Sequence, residues 1–204
     1  MKNDVAARFD RVAANWDANA VRVALAKRVA DAIRQAIPLR PDMQVIDVGA
    51  VTGLLTLALL PHVGAVTAVD TSSMMLGVLD GKLASLKIGN VRTLHGDVTE
   101  TPLPDNAIVS SMAMHHMRDV PAVLTWLRPC LRRDGWIAVA DLDAEDGTFH
   151  ADASGVYHRG FERRVVCAWL EQAGFVNVAL RDAHRIDRDG RQYGVFLATG
   201  RGDV

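Results

Sequence analysis

Apolar residues recur along this chain with two different periods. In the first forty positions they return every third or fourth residue: Phe9, Val12 and Ala13 share one face of a helix expected over 5–16. Leu25, Val29, Ile33 and Ile37 line a second helix expected over 21–37, and Pro38 and Pro41 end the stretch. From Gln44 onward, short apolar runs alternate with helical ones. Strands are expected at 44–48, 65–69, 91–95, 107–112 and 136–140, and helices at 53–60, 72–86, 120–131 and 161–173. Asp119 is placed to cap the third of these helices. Two closing strands, 176–181 and 192–199, flank the turn-like Asp187-Arg188-Asp189-Gly190.

Strands that alternate with helices require right-handed crossovers, which build a parallel sheet. The expectation is an α/β, doubly wound, mostly parallel seven-stranded sheet with helices on both faces, its final hairpin adding an antiparallel edge. With no repeat, linker or low-complexity segment, the chain reads as one domain. Residues 1–40 form a helical lid or cap packed on a core of 41–204.

Composition narrows the function. In 204 residues, 50% are hydrophobic and 23% charged, the balance of a globular protein with a sizeable core. The 23 basic and 24 acidic residues leave a net charge of −1 with no basic stripe, which argues against a nucleic-acid partner. Cys130 and Cys167 lack any paired spacing and read as thiols of a reducing compartment. The start carries no apolar leader, and the longest apolar run, 54–60, is broken by Thr56 and far too short for a membrane. A cytoplasmic location is expected, and no oligomeric state is legible.

The most informative stretch is Val45-Ile46-Asp47-Val48-Gly49-Ala50-Val51-Thr52-Gly53, where a strand gives way to a helix. Open α/β sheets bind ligands at that place, and glycine lets the backbone turn tightly and come close to one. Asp70 ends the second strand 21 positions after Gly49 (70 − 49), where a carboxylate accepts hydrogen bonds from the hydroxyls of a ribose. Further landmarks follow in order: Asp70-Thr71-Ser72-Ser73-Met74-Met75-Leu76, His95-Gly96-Asp97-Val98, Ser110-Ser111-Met112-Ala113-Met114-His115-His116 and Leu131-Arg132-Arg133-Asp134-Gly135-Trp136. Phe9-Asp10 and Trp16-Asp17 precede them.

With these motifs the chain resembles the class I S-adenosylmethionine-dependent methyltransferases, especially the group around ubiquinone and menaquinone biosynthesis, over nearly its whole length. The resemblance implies a Rossmann-like fold, S-adenosylmethionine as cofactor and methyl transfer to a small-molecule acceptor. It implies that Asp47, Gly49, Ala50 and Gly53 wrap the methionine portion of the cofactor, and that Asp70 holds the ribose. Thr71 would pack on the adenine, Asp97 accept from its amino group with Val98 beside the ring, and Ser111 face the sulfonium side. A turn or cap role is the competing reading of Asp97.

Two departures stand out. Val51 occupies a place where the family usually has glycine, and a β-branched residue disfavours positive φ. Either the loop shifts, cofactor affinity falls, or the site is abandoned. After Pro104-Asp105-Asn106 about three residues of the family pattern are missing before the fourth strand.

Methyl transfer from a positive sulfur asks mainly for alignment and dryness, with a general base only where the acceptor must lose a proton. His115 and His116 follow the fourth strand on the substrate rim, and His116 is the catalytic candidate. His150 and His158 belong to a segment, 141–160, expected to form part of the substrate wall, and Phe9 and Trp16 are either a lid or ordinary helix packing. Asp141, Asp143, Glu145, Asp146 and His150 invite a metal, but Asp146 stands where a calcium loop needs its glycine, so a solvated acidic rim is expected. Three other functions compete: a catalytically weak or inactive binding protein, supported by Val51; a nicotinamide-dependent oxidoreductase, opposed by the missing Gly-x-Gly-x-x-Gly spacing; and a nucleic-acid base methyltransferase, opposed by Ser-Ser-Met-Ala-Met-His-His after the fourth strand.

Overall fold

The computed structural model describes residues 2–100 and 105–202. Seven strands form one sheet: β1 (Gln44–Val48), β2 (Ala65–Asp70), β3 (Val91–His95), β4 (Asp105–Ser111), β5 (Leu131–Leu142), β6 (Val176–Arg188) and β7 (Arg191–Arg201). Their order is β3-β2-β1-β4-β5-β7-β6. The first five strands pair in parallel, and β7 runs antiparallel between β5 and β6. The chain thus winds outward from β1 in one direction to β3 and in the other through β4 to β6. The two windings part between β1 and β4, the topological position at which open α/β sheets bind ligands.

Helices cover both faces: α1 (Lys2–Val12), α2 (Ala20–Ala36), α3 (Leu54–Leu59), α4 (Ser73–Leu86), α5 (Val120–Leu127) and α6 (Arg163–Gln172). Successive strand residues point to opposite faces, and the core divides accordingly. Val45, Val66, Val109, Ala138 and Leu197 pack with α2 and α3 on one side; Ile46, Val69, Ile108, Ile137 and Phe196 pack with α5 and α6 on the other. Leu76, Leu79 and Leu83 of α4 close over Ala50 and Ala68. Leu25, Val29, Ala30, Ala32 and Ile33 of α2 are core residues, and Ala13 of the segment before it is buried as well.

The strand expectations hold at β1 and β3 to the residue. Differences lie at element ends. The first helix stops at Val12 and tightens to a 3₁₀ turn over Ala13–Ala18. The helix expected to reach 131 ends at Leu127, and Leu131-Arg132-Arg133 opens β5. Asp119 caps α5 as expected, accepting from the Ala122 amide at 3.0 Å. The closing hairpin is longer than expected, because β6 and β7 pair with one another as far as Arg188 and Arg191. At the family departure after Pro104, the register between β4 and β5 is irregular from Asp105 to Ala107; Pro104 lies outside the described residues.

Candidate active site

The turn after β1 is built from left-handed residues. Gly49, Val51 and Gly53 have φ of 73°, 53° and 77°. The Gly49 and Ala50 amides both donate to the Val69 carbonyl, at 2.9 and 3.1 Å, which pins the turn to the tip of β2. A Cβ on Gly49 would run into the Cβ of Ala113, so this glycine is required by the approach of the segment after β4. Val51 adopts a glycine-like backbone conformation, so the turn accommodates a β-branched residue at positive φ.

Two carboxylates organise the loop. Asp70 takes the Val51 amide on one oxygen and the Ser72 amide on the other, both at 2.8 Å, joining the tips of β1 and β2. Burial raises its pKa against those amide donors, and the nearby Asp10 raises it further. An ionised carboxylate has about four acceptor sites, so two amides leave capacity for the vicinal hydroxyls of a ribose. Asp47, 1% exposed, accepts from Thr56 Oγ1 at 2.6 Å. Burial pushes it up to about 7, the charge of Asp70 adding to this and the Thr56 hydroxyl opposing it.

The N-terminal segment is fastened over these loops by two further carboxylates. Asp10 accepts from Ser72 Oγ at 2.5 Å and from the Met74 amide at 3.2 Å. Asp17 accepts from Thr52 Oγ1 at 2.6 Å and pairs with Lys82, whose ammonium also donates to the Thr52 carbonyl at 2.7 Å. Arg8 reaches the carbonyls of Asp152 and Ser154 in the loop after β5. Phe9 packs between Trp16, 5.5 Å away, and the edge of His116 at 5.1 Å. These contacts make Phe9 and Trp16 part of a bridge across the rim.

On the β4 side, His115 is buried against Asp141: its Nδ1 lies 2.7 Å from Asp141 Oδ1. His116 turns the other way, with Nδ1 at 2.7 Å from the Gly155 carbonyl. Burial, then the charge of His115, pushes His116 down to about 3; the same causes, with Arg8, push His150 down to about 4. His158 Nε2 donates to the Met117 carbonyl at 2.9 Å, a loop-bracing bond.

The structure gathers most of the expected cofactor residues. Asp47, Gly49, Ala50, Gly53, Asp70 and Thr71 surround the tips of β1 and β2, and Gly96 ties the tip of β3 to them through its amide on the Asp70 carbonyl, 3.0 Å. Asp97 also has the turn role: its Oδ1 accepts from the Thr99 amide and hydroxyl at 3.0 and 2.8 Å. Val98 is buried, and Ser111 ends β4 beside Ala140. The acidic run after β5 is dispersed. Asp143 binds Arg163, Glu145 takes the amides of Gly147, Thr148 and Phe149, and Asp146 pairs with Arg191. Sequence reasoning missed the Asp10–Ser72 and Asp17–Thr52 clasps and the pairing of His115 with Asp141. The only signal for the clasps was an aspartate directly after each aromatic, in Phe9-Asp10 and Trp16-Asp17.

Residues 45–135 match the family described as a methyltransferase domain. An uncharacterised methyltransferase of Schizosaccharomyces pombe is 29% identical over 156 residues, 68% of this chain and 55% of its own length. The chain spans about half the length of the curated relatives it matches. Among solved structures, the YcgJ protein of Bacillus subtilis superposes with a TM-score of 0.72 at 16% identity, over 86% of this chain and 98% of that one. Phosphoethanolamine N-methyltransferase 2 of Haemonchus contortus, solved with S-adenosyl-L-methionine, gives 0.71 at 13% identity, over 86% and 52% of the two chains. These structural likenesses establish the fold.

Proposed function

We propose that this chain, whose core over residues 45–135 is that of a class I S-adenosylmethionine-dependent methyltransferase, binds that cofactor across the tips of β1 and β2 and methylates a small-molecule acceptor in the cytoplasm. The observation that carries the reading is Asp70. It is a strand-end carboxylate held by the amides of Val51 and Ser72 beside a turn of left-handed backbone, the donor and acceptor set that a nucleoside sugar asks for.

In this reading Asp47, Gly49, Ala50 and Gly53 hold the methionine end, Thr71, Asp97 and Val98 the adenine, and Ser111 the sulfonium side. The bound cofactor supplies a methyl carbon already activated by a positive sulfur. The protein's contribution is alignment, worth on the order of 7–11 kcal/mol in good cases, and exclusion of water. Residues 2–18 serve as the cap, with Phe9 and Trp16 closing the rim and Asp10 and Asp17 as its clasps. The near-zero net charge without a basic stripe supports a small acceptor over a nucleic acid. Among the described residues no helix is long and apolar enough to cross a membrane.

The comparisons do not favour the oxidoreductase or the inactive binding protein. Calorimetric titration with S-adenosylmethionine and S-adenosylhomocysteine tests the proposal. Binding by the native protein, lost in Asp70→Ala, is expected; no binding of either ligand by the native protein overturns it.

A further inference from the structure

Three imidazoles meet on the rim after β4 and β5. The ring of His115 lies 4.1 Å from that of His116 and 4.9 Å from that of His150. Their surroundings differ. Asp141 is fully buried and its carboxylate collects three donors: His115 Nδ1 at 2.7 Å, the His115 amide at 3.2 Å and the Leu142 amide at 2.8 Å. Because a carboxylate only accepts, Nδ1 of a neutral His115 carries the proton and Nε2 the lone pair. A proton taken up at Nε2 produces an imidazolium whose charge is met at once by a buried partner. His116 donates to a neutral carbonyl instead, and burial beside His115 holds both His116 and His150 in the neutral form at physiological pH. Among the described residues, only His115 of the three has a carboxylate bonded to its ring.

Two more observations concern what meets this cluster. His150 Nε2 is buried with no hydrogen-bond partner among the described residues, a polar atom whose burial costs free energy until a ligand answers it. The surrounding surface is aromatic: Phe9 stands edge-on to His116, and Phe149 stands edge-on to His150 at 4.8 Å. Such walls suit a flat, unsaturated group with a hydrogen-bonding edge.

We propose that His115, held by Asp141, is the base for a methyl acceptor that arrives protonated, a hydroxyl on an unsaturated or aromatic carbon, with the hydrogen-bonding edge of that acceptor answered by His150 Nε2. This rests on the methyltransferase reading above. The hydroxyl oxygen bonds the methyl carbon as the carbon–sulfur bond breaks, its electron pair stays on sulfur, and the hydroxyl proton passes to His115 Nε2 and later to solvent. A phenolic hydroxyl, near pKa 10, lies about 3–4 units above an imidazolium, within reach of a base acting during transfer; an aliphatic one lies near water, about 15.7, and is not.

The test uses 4-substituted phenols of graded acidity with saturating S-adenosylmethionine, reading S-adenosylhomocysteine formed by the native protein, His115→Asn and Asp141→Asn. Loss of the base should cost about 10²–10⁴-fold with 4-methoxyphenol and under about tenfold with 4-nitrophenol, which ionises unaided near neutral pH. A second readout needs no turnover. The absorbance of 4-nitrophenol bound beside S-adenosylhomocysteine at pH 6 should show more phenolate with the native protein than with either variant. An equal loss across the series, an unshifted nitrophenol spectrum, or a native protein that methylates none of the phenols overturns the inference. If Asp141→Asn does not fold, His115→Asn decides alone. Calorimetry separates the two levels: lost cofactor binding by the native protein removes the underlying function, whereas intact binding with a flat acidity profile removes only the base.

Discussion

Replacing Val51 with glycine separates strain from crowding in the turn after β1, the proposed cofactor loop. Val51 sits at φ 53° while its amide donates to Asp70 at 2.8 Å, so the left-handed conformation is imposed by the turn. For a residue with a Cβ that conformation costs about 1–2 kcal/mol, and a β-branched side chain belongs at the upper end. Glycine removes the cost but loses about 0.5–1 kcal/mol through the greater freedom of its unfolded chain. The net expectation for Val51→Gly is a gain of about 0.5–1 kcal/mol, or roughly 1–4 °C in melting temperature for a chain of this size. Val51→Ala keeps the left-handed penalty and should gain less. Binding answers a different question, because backbone strain is present with and without cofactor and cancels from the affinity. A dissociation constant for S-adenosylmethionine tighter by about 3–10-fold, or about 0.7–1.4 kcal/mol, would therefore report side-chain crowding alone. Urea unfolding and calorimetry measure the two effects. A variant less stable than the native protein refutes the strain argument; a more stable variant of unchanged affinity shows that the valine side chain stays clear of the ligand.

Three other perturbations follow from the same loops. Asp47 is pushed up to about 7, so between its ordinary value near 3.8 and 7 the folded protein holds a proton that the unfolded chain has lost, and stability falls as pH rises through that window; Asp47→Asn should flatten the fall, read by urea unfolding at pH 5 and 8. If the cofactor's ammonium meets Asp47, binding at pH 6 expels that proton, which calorimetry in buffers of different ionisation enthalpy detects as proton release that disappears in the asparagine variant. Gly49→Ala combines positive φ with a clash against Ala113 and should cost about 2–4 kcal/mol in thermal or urea unfolding. Asp17→Ala removes the Thr52 bond and the Lys82 pair, both partly exposed, so a loss of about 1 kcal/mol is expected, with faster amide hydrogen exchange confined to residues 2–18.

The fold was legible because the physics that selects it is local. Strands buried on both faces, such as Val45-Ile46-Asp47-Val48, need nearly continuous apolar runs, and α2 must repeat every fourth residue to lay Leu25, Val29 and Ile33 on the sheet. Element ends were less legible, because partners distant in sequence decide them. Arg132, Arg133 and Asp134 look like the end of a helix and its loop, yet they extend a strand because β5 begins pairing with β4 at Leu131. The last hairpin outruns its apolar pattern because Ile186 and Tyr193 face each other across it and join the core cluster.

The site divides in the same way. Gly49, Gly53 and Asp70 could be placed because a tight turn and a strand-end carboxylate announce themselves by residue type and spacing. The histidine pair could not be resolved, since two adjacent side chains leave a short turn in different directions and only the fold decides which one meets Asp141, 26 residues on. The same holds for the clasps. Asp10 and Asp17 lie 62 and 35 residues from Ser72 and Thr52, and each is an ordinary polar residue of an exposed helix until the sheet brings its partner near. Both partners belong to the two loops that Asp70 already joins through the Val51 and Ser72 amides. One carboxylate thus sets the spacing of the loops, and the other two depend on that spacing to fasten the N-terminal segment. Disturbing Asp70 should consequently loosen residues 2–18 as well as any sugar held there, whereas removing Asp17 should loosen the segment and leave the β1–β2 junction intact.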